Sequence, residues 1–257
     1  MSVQKSWPEL LKMHRACTIV VETLEVLSRA VRPGVATREL DRIARECIER
    51  EGARPAFLGY RGYPATLCIS VNDEVVHGIP GPRKLREGDI VGLDLGCIVD
   101  GFYGDAARTV GVGRVGAEAE RLMRATQEAL HAGITACHPG KRVGDIGHAV
   151  QRHAESHGYS VVREFVGHGI GTSLHEDPQV PNYRPVRGQG NPPISEGLCL
   201  AIEPMINIGG PETRTLADRW TVVTADGSLS AHFEHTLACT AAGPVVLTAA
   251  VGAAVAA

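Results

Sequence analysis

Residues 89–112 read DIVGLDLGCIVDGFYGDAARTVGV. Two apolar runs flank Asp100-Gly101, a dipeptide favoured in two-residue type I′ turns, so the stretch is predicted to be a β-hairpin. With Asp100 and Gly101 as the loop, Val99 pairs with Phe102, and Gly96 falls opposite Asp105. Side chains alternate along a strand, so Asp94 shares a face with Gly96. Asp94 and Asp105 then become diagonal neighbours on one face, about 7–8 Å apart at Cα. Two carboxylates side by side within apolar strands need a reason.

Two further carboxylates sit in similar surroundings. LCLAIEPMINI (198–208) is an apolar strand interrupted by Glu203, and WTVVTADGSLSAHFEHTLAC (220–239) is expected to form a second hairpin with Glu234 inside its second strand. A solvated sheet face would account equally well for Glu234, whose neighbours include His232 and His235. It accounts less well for Asp94 and Glu203, whose neighbours are apolar. A buried ionised carboxylate without a partner is too costly, so each needs a cation or must stay protonated. Arg108 is the nearest basic residue to these runs. Two divalent cations would balance four such charges, and oxygen-rich ligation with one or two imidazoles suits Mn, Fe, Co or Zn. Such a pair activates water and polarises a carbonyl, so the chemistry expected is metal-assisted hydrolysis. Imidazoles come from EFVGHGIGTSLHEDP (164–178), where His168 and His175 stand seven residues apart. That spacing alone does not say whether they share one task or divide two. The flanking glycines argue against a helix, and are expected to let the backbone approach a metal.

Around these strands the chain repeats a plan. A helix is predicted from Ser6-Trp7-Pro8 to about Ala30, then a loop, then a second helix capped by Thr37 and stopped by Gly52. Residues 117–137 and 145–157 repeat the pair, with Gly158 as the stop. Pro33-Gly34 and Pro139-Gly140 are 106 residues apart, as are Gly52 and Gly158. We therefore expect two structural repeats, about 9–115 and 116–242, in one catalytic domain spanning 1–242, with an Ala/Val-rich tail at 243–257 that frays. A net charge of −3 gives no footprint for nucleic acid or an anionic membrane. The N-terminus lacks the apolar core of a signal peptide, and no apolar run reaches spanning length. Seven scattered cysteines without C-x-x-C suit reduced thiols in a cytoplasm.

NDEVVHGIP (72–80), DGFYGDAART (100–109), GHGIG (167–171), LHEDPQV (174–180), AIEPM (201–205) and FEHT (233–236) resemble, in that order, the motifs of type I methionine aminopeptidases. The likeness runs from about Lys12 to Ala242. It implies an α/β (α+β) pita-bread fold, a pseudo-twofold repeat of helix pairs on an antiparallel curved sheet. It also implies removal of the N-terminal methionine from nascent proteins when the second residue is small. Two divalent cations (Co, Mn, Fe or Zn) would be held as follows. Asp94 resembles a ligand of the first metal, Asp105 and Glu234 the bridging carboxylates, and His168 and Glu203 the ligands of the second. Glu203 counts among the catalytic residues with His77 and His175. His77 resembles a histidine that contacts the substrate amide, and His175 one that hydrogen-bonds the scissile carbonyl. Tyr60, Tyr63 and Trp220 would wall a methionine pocket, with Cys68 against the thioether. Asn72 and Ser230 match positions associated with a monovalent cation. Phe57, Val76 and Leu174 depart from the residues many relatives carry, which bears on pocket dimensions. The partners implied are nascent polypeptide N-termini and a transient ribosome contact, for a cytoplasmic monomer of the short bacterial form. X-Pro aminopeptidases and prolidases, which share the fold and ligands but add an N-terminal domain, and a non-catalytic binding protein of the same fold are the rival expectations.

Overall fold

The computed structural model describes residues 4–186 and 190–249. The first helix, α1 (Trp7–Ala30), opens on a reciprocal cap. The Ser6 N–H and hydroxyl donate to the Glu9 carboxylate at 2.7 and 2.6 Å, and Pro8 occupies the first turn. Met13, Ala16, Cys17, Val20, Leu24 and Leu27 recur at three- and four-residue steps and are buried against the sheet. α2 (Thr37–Arg50) packs beside it. Thr37 does not cap this helix. Ala36 holds the cap position, and the Thr37 hydroxyl is used elsewhere, donating to the Gly81 carbonyl and accepting from the Gly81 N–H.

Five strands follow: β1 (Arg54–Pro55), β2 (Leu67–Val71), β3 (Glu74–Val76), β4 (Ile90–Val99) and β5 (Phe102–Gly111). β4 and β5 form the expected hairpin in the expected register, Val99 opposite Phe102 and Gly96 opposite Asp105. Asp100 and Gly101 both have positive φ, 50° and 80°, as a type I′ turn requires. Leu93, Leu95 and Cys97 of β4 join the core under α1 and α2. Asp94, by alternation, faces the other way.

The second half begins with α3 (Ala117–Ala136) and α4 (Val143–Ser156), packed as a pair. Its strands are β6 (Ser160–Val161), β7 (Gly167–Gly169), β8 (Glu176–Val180), β9 (Cys199–Ile202), β10 (Met205–Asn207), β11 (Thr213–Thr215), β12 (Val222–Thr224), β13 (Ser230–His232), β14 (Glu234–Thr240) and β15 (Gly243–Val246). The main sheet runs β1-β4-β5-β14-β9-β7-β8, with β2 also on β4 and β15 also on β14, and every pairing is antiparallel. Two sets of backbone contacts correspond between the halves. Ala36 bridges Lys84 as Arg142 bridges Pro193, and Leu85 N donates to Val35 O as Ile194 N donates to Lys141 O. By this correspondence Asp94 and Glu203 occupy equivalent places in the two halves.

Two further expectations are corrected. Residues 220–239 are not a hairpin: β12 pairs with β3 and β11, whereas β13 pairs with β10. The Asp226 carboxylate accepts from Ser228 N at 2.9 Å within the turn and from Gly210 N at 2.8 Å, tying the turn to the 209–212 loop. The start of the supposed tail is part of the sheet. β15 pairs with β14, Leu247 and Thr248 are buried, and Thr248 Oγ1 lies 2.8 Å from His235 Nδ1; residues 250–257 lie outside the described ones. Among the described residues no helix is long and apolar enough to cross a membrane. All seven cysteines are buried and free.

Candidate metal centre and active site

Five neighbouring strands of the main sheet bring one ligand-type side chain each to a single region. Asp94 lies on β4, Asp105 on β5, Glu234 opens β14, Glu203 directly follows β9, and His168 is the middle residue of β7. The register explains the convergence. Ala107 of β5 pairs with Asp94 on one side and Glu234 on the other. Directly paired residues share a face, and Asp105, two residues before Ala107, shares it too. Ala107 therefore supplies the small side chain between two carboxylates. On β9 the chain reaches Glu203-Pro204, and proline, having no N–H for the ladder, marks where it leaves the main sheet for β10.

Ligand atoms of Asp105, His168 and Glu234 lie within 4.8 Å of one another, all buried. His168 Nε2 stands 3.4 Å from Glu203 Oε1. Its other nitrogen, Nδ1, donates to the Gly169 carbonyl at 2.9 Å, which leaves Nε2 with a lone pair. Two lone-pair atoms facing each other at that separation match two ligands of one cation, each about 2.0–2.2 Å from it. Asp94 Oδ1, Asp105 Oδ1 and Glu234 Oε1 are buried without any hydrogen-bond partner. Among the described residues the four carboxylates pair with no lysine or arginine. Arg108 is bound instead to Glu25 of α1 at 2.6 Å, on the opposite face. Burial pushes the Asp94 carboxyl up to about 7. Burial, then the neighbouring carboxylates, hold Asp105, Glu203 and Glu234 well above the usual carboxylate range. Without cations these groups would be protonated; with cations they balance. The donors present fit divalent metal ions.

The glycines beside His168 are required by the packing of the sheet. A Cβ on Gly167 would collide with the Ala201 carbonyl, and one on Gly169 with the Asp177 carbonyl. They let β7 fit tightly between β9 and β8, and so carry His168 to the centre.

Above the carboxylates is a cavity of about 150 Å³ whose lining includes Phe57, Tyr60, Arg61, Tyr63, Cys68, His77, Leu174, His175 and Trp220. Cys68 of β2 is the register partner of Asp94. Tyr63 meets Trp220 edge to face at 5.1 Å. Of the three departing positions, Phe57 and Leu174 line the cavity, whereas Val76 packs behind it with Val75, Val222 and Met205. His77 adopts φ 61° and stands edge-on to Phe165 and Trp220. Burial and nearby His175 bring its imidazole down to about 4, so it is neutral at pH 7. His175 is stacked on Tyr60, and its Nδ1 lies 2.8 Å from the Tyr60 hydroxyl. Tyr60 thus touches His175 as well as the cavity. Glu176, next in sequence, is paired at 2.6 Å with buried Lys5, tying the segment before α1 to the loop that carries His175. Asn72 and Ser230 are adjacent, with Ser230 N donating to Asn72 O at 2.9 Å, and the Asn72 amide is committed to Asp89 and Ile90.

Sequence reasoning assigned no role to His232 or Arg61. His232 is buried at the end of β13, its Nε2 has no hydrogen-bond partner, and that atom lies 3.9 Å from Glu203 Oε2. Burial, then His77, brings it down to about 3. Its position two residues before Glu234 was the available signal.

The model of metallopeptidase family M24 matches residues 11–241. A methionine aminopeptidase of Clostridium perfringens is 51% identical over 96% of this chain and 99% of its own length. The crystal structure of methionine aminopeptidase from Rickettsia prowazekii superposes with a TM-score of 0.94 at 41% identity, covering 97% of this chain and 100% of that one. Prolidase from Pyrococcus furiosus shares the fold at a TM-score of 0.77 and 21% identity, covering 96% of this chain and 66% of its own. With five ligand-type side chains converging on one face and these likenesses spanning nearly its whole length, the chain belongs to metallopeptidase family M24.

Proposed function

We propose that this protein is a dinuclear metalloaminopeptidase that releases N-terminal methionine from polypeptides whose second residue is small. The observation that carries the reading is the meeting of unpartnered carboxylate oxygens and the bare His168 Nε2 beside a cavity lined by Tyr60, Tyr63, Cys68 and Trp220. Asp94 would hold the first ion, Asp105 and Glu234 would bridge, and His168 with Glu203 would hold the second. When bound, the ions supply Lewis-acid polarisation of the scissile carbonyl and a water nucleophile at neutral pH. The protein's own groups do the rest. With the Tyr60 hydroxyl, 2.8 Å from His175 Nδ1, acting as donor, Nε2 would carry the proton and donate to the carbonyl oxygen as it becomes anionic. His77, neutral, binds the substrate amide. Glu203 takes up and returns a proton at Oε2, the oxygen turned toward His232. The aromatic slot with the Cys68 thiol suits a flexible, polarizable thioether. A monovalent cation near Asn72 and Ser230, transient ribosome contact and a cytoplasmic monomer belong to the same reading.

The test is release of amino acid by metal-stripped protein refilled with Mn, Fe, Co or Zn. Met-Ala-Ser should be cleaved and Met-Lys peptides spared. Faster cleavage of Ala-Pro peptides would overturn the assignment.

A further inference from the structure

Imidazoles and a carboxylate also converge away from the sheet. His153 and His157, four residues apart at the end of α4, share one face of the helix. Glu128 reaches them from α3, which packs along α4. One ligand atom from each of the three lies within 4.8 Å of the others. His153 Nε2 is 3.2 Å from Glu128 Oε2, and the two imidazole centroids are 4.5 Å apart. His157 Nδ1 donates to the His153 carbonyl at 2.9 Å, which leaves its Nε2 with the lone pair a metal ligand needs.

We propose that Glu128, His153 and His157 form a second, surface site for a borderline divalent ion such as Zn²⁺, Ni²⁺ or Cu²⁺, clipping α3 to the end of α4. Two imidazoles with one carboxylate favour these ions over Mg²⁺ or Ca²⁺, which take oxygen donors. Ligands at about 2.0–2.1 Å from a tetrahedral ion are roughly 3.3 Å apart, so the more widely separated side chains must close by up to about 1.5 Å. Their partial exposure leaves them free to do so, and the solvent side leaves room for water as a further ligand. Arg121 and Arg124 line the adjoining depression with Glu128 and His157. Their charge weakens the site, making it a reversible clip rather than a permanent structural centre.

The experiment is calorimetric titration of Ni²⁺ into the metal-stripped full chain, wild type against His153→Ala/His157→Ala. The wild type should take up one equivalent more than the double variant, whatever number the main centre holds. Methionine release at saturating Mn²⁺ should be the same in both. Mg²⁺ titrations should not differ between them. Equal Ni²⁺ uptake by the two proteins, or a Mg²⁺ difference as large as that for Ni²⁺, would overturn the proposal.

Discussion

The rings of His168 and His175 lie 4.2 Å apart, yet their nitrogens are committed differently. His168 spends Nδ1 on a backbone carbonyl and leaves Nε2 with a lone pair, whereas His175 meets a tyrosine hydroxyl and sits on the cavity wall. Loss of one oxyanion donor commonly costs about 10²–10³ in kcat. His175→Ala should therefore keep its metals and lose kcat by about that factor with little change in KM, while His168→Ala should lose metal. Elemental analysis and steady-state kinetics on the two variants side by side decide this; a His175→Ala protein that loses metal while His168→Ala keeps it reverses the roles. His232 offers a finer test. We expect its unpartnered Nε2, 3.9 Å from Glu203 Oε2, to make it a positioning residue for that proposed ligand. Groups of this kind typically change metal affinity by about 10–100-fold when lost. His232→Leu should weaken metal binding by that factor, and His232→Gln, which keeps a polar group facing Glu203, should restore much of it. Identical affinities in wild type and His232→Leu, measured by calorimetry, would remove His232 from the site.

At the scale of the element, Ala107 is the position on which the carboxylate geometry turns. It lies between Asp94 and Glu234 across three strands and is almost fully buried. Ala107→Val would put two methyl groups where the carboxylates approach. Overpacking of this kind costs about 1–3 kcal/mol of stability, but the larger effect expected is on the metals, with occupancy and activity falling together. Full occupancy and wild-type turnover in that variant would mean the register does not set the site. The β4–β5 hairpin was legible in the sequence because its turn chemistry and alternation are local: Asp100-Gly101 dictates the register, and the register places Asp94 beside Asp105. Residues 220–239 were misread for the complementary reason. Their partners lie outside the stretch, Thr215 just before it and Val76 and Met205 farther back along the chain, and an apolar run carries no mark of which outside strand it will join. Thr37 fitted the preference for a cap, but a bond to Gly81 outweighed it. Four of the five proposed ligands stood out because a carboxylate in an apolar strand is conspicuous, whereas His168 was assigned through the family resemblance. His232 and the Tyr60–His175 contact were not, because only the folded chain brings β13 to Glu203, or the 60–63 turn to the 172–176 loop.

The whole molecule buries four carboxylates and four strongly depressed histidines in or beside one sheet, so its stability without metal depends on pH in two opposed ways. Burial brings His77 and His235 down to about 4, and His168 and His232 to about 3. An unfolded histidine titrates near about 6.5. Between those values the unfolded chain binds the extra protons, so these groups make stability rise with pH up to about 6.5 and contribute no slope beyond it. The carboxylates have the reverse sign. Unfolded they titrate near about 4, whereas Asp94 is pushed up to about 7 and Asp105, Glu203 and Glu234 are also raised. The folded protein then holds protons that the unfolded chain has lost, and stability falls as pH rises through the folded values. The two sets oppose each other between about pH 4 and 6.5. Above that only the carboxylate contribution still has a slope, so the Tm of metal-stripped protein should fall from about pH 6.5 to about pH 8.5. Bound cations hold the same carboxylates ionised and remove their contribution to the slope, so the Tm of the loaded protein should change little over that range. The measurement is thermal unfolding of both forms across it, with the gap between them expected to widen toward alkaline pH. A stripped protein whose Tm is flat or rising from about pH 6.5 to about pH 8.5 would show that the carboxylates are not held protonated by burial, and that something other than a cation balances them in the fold.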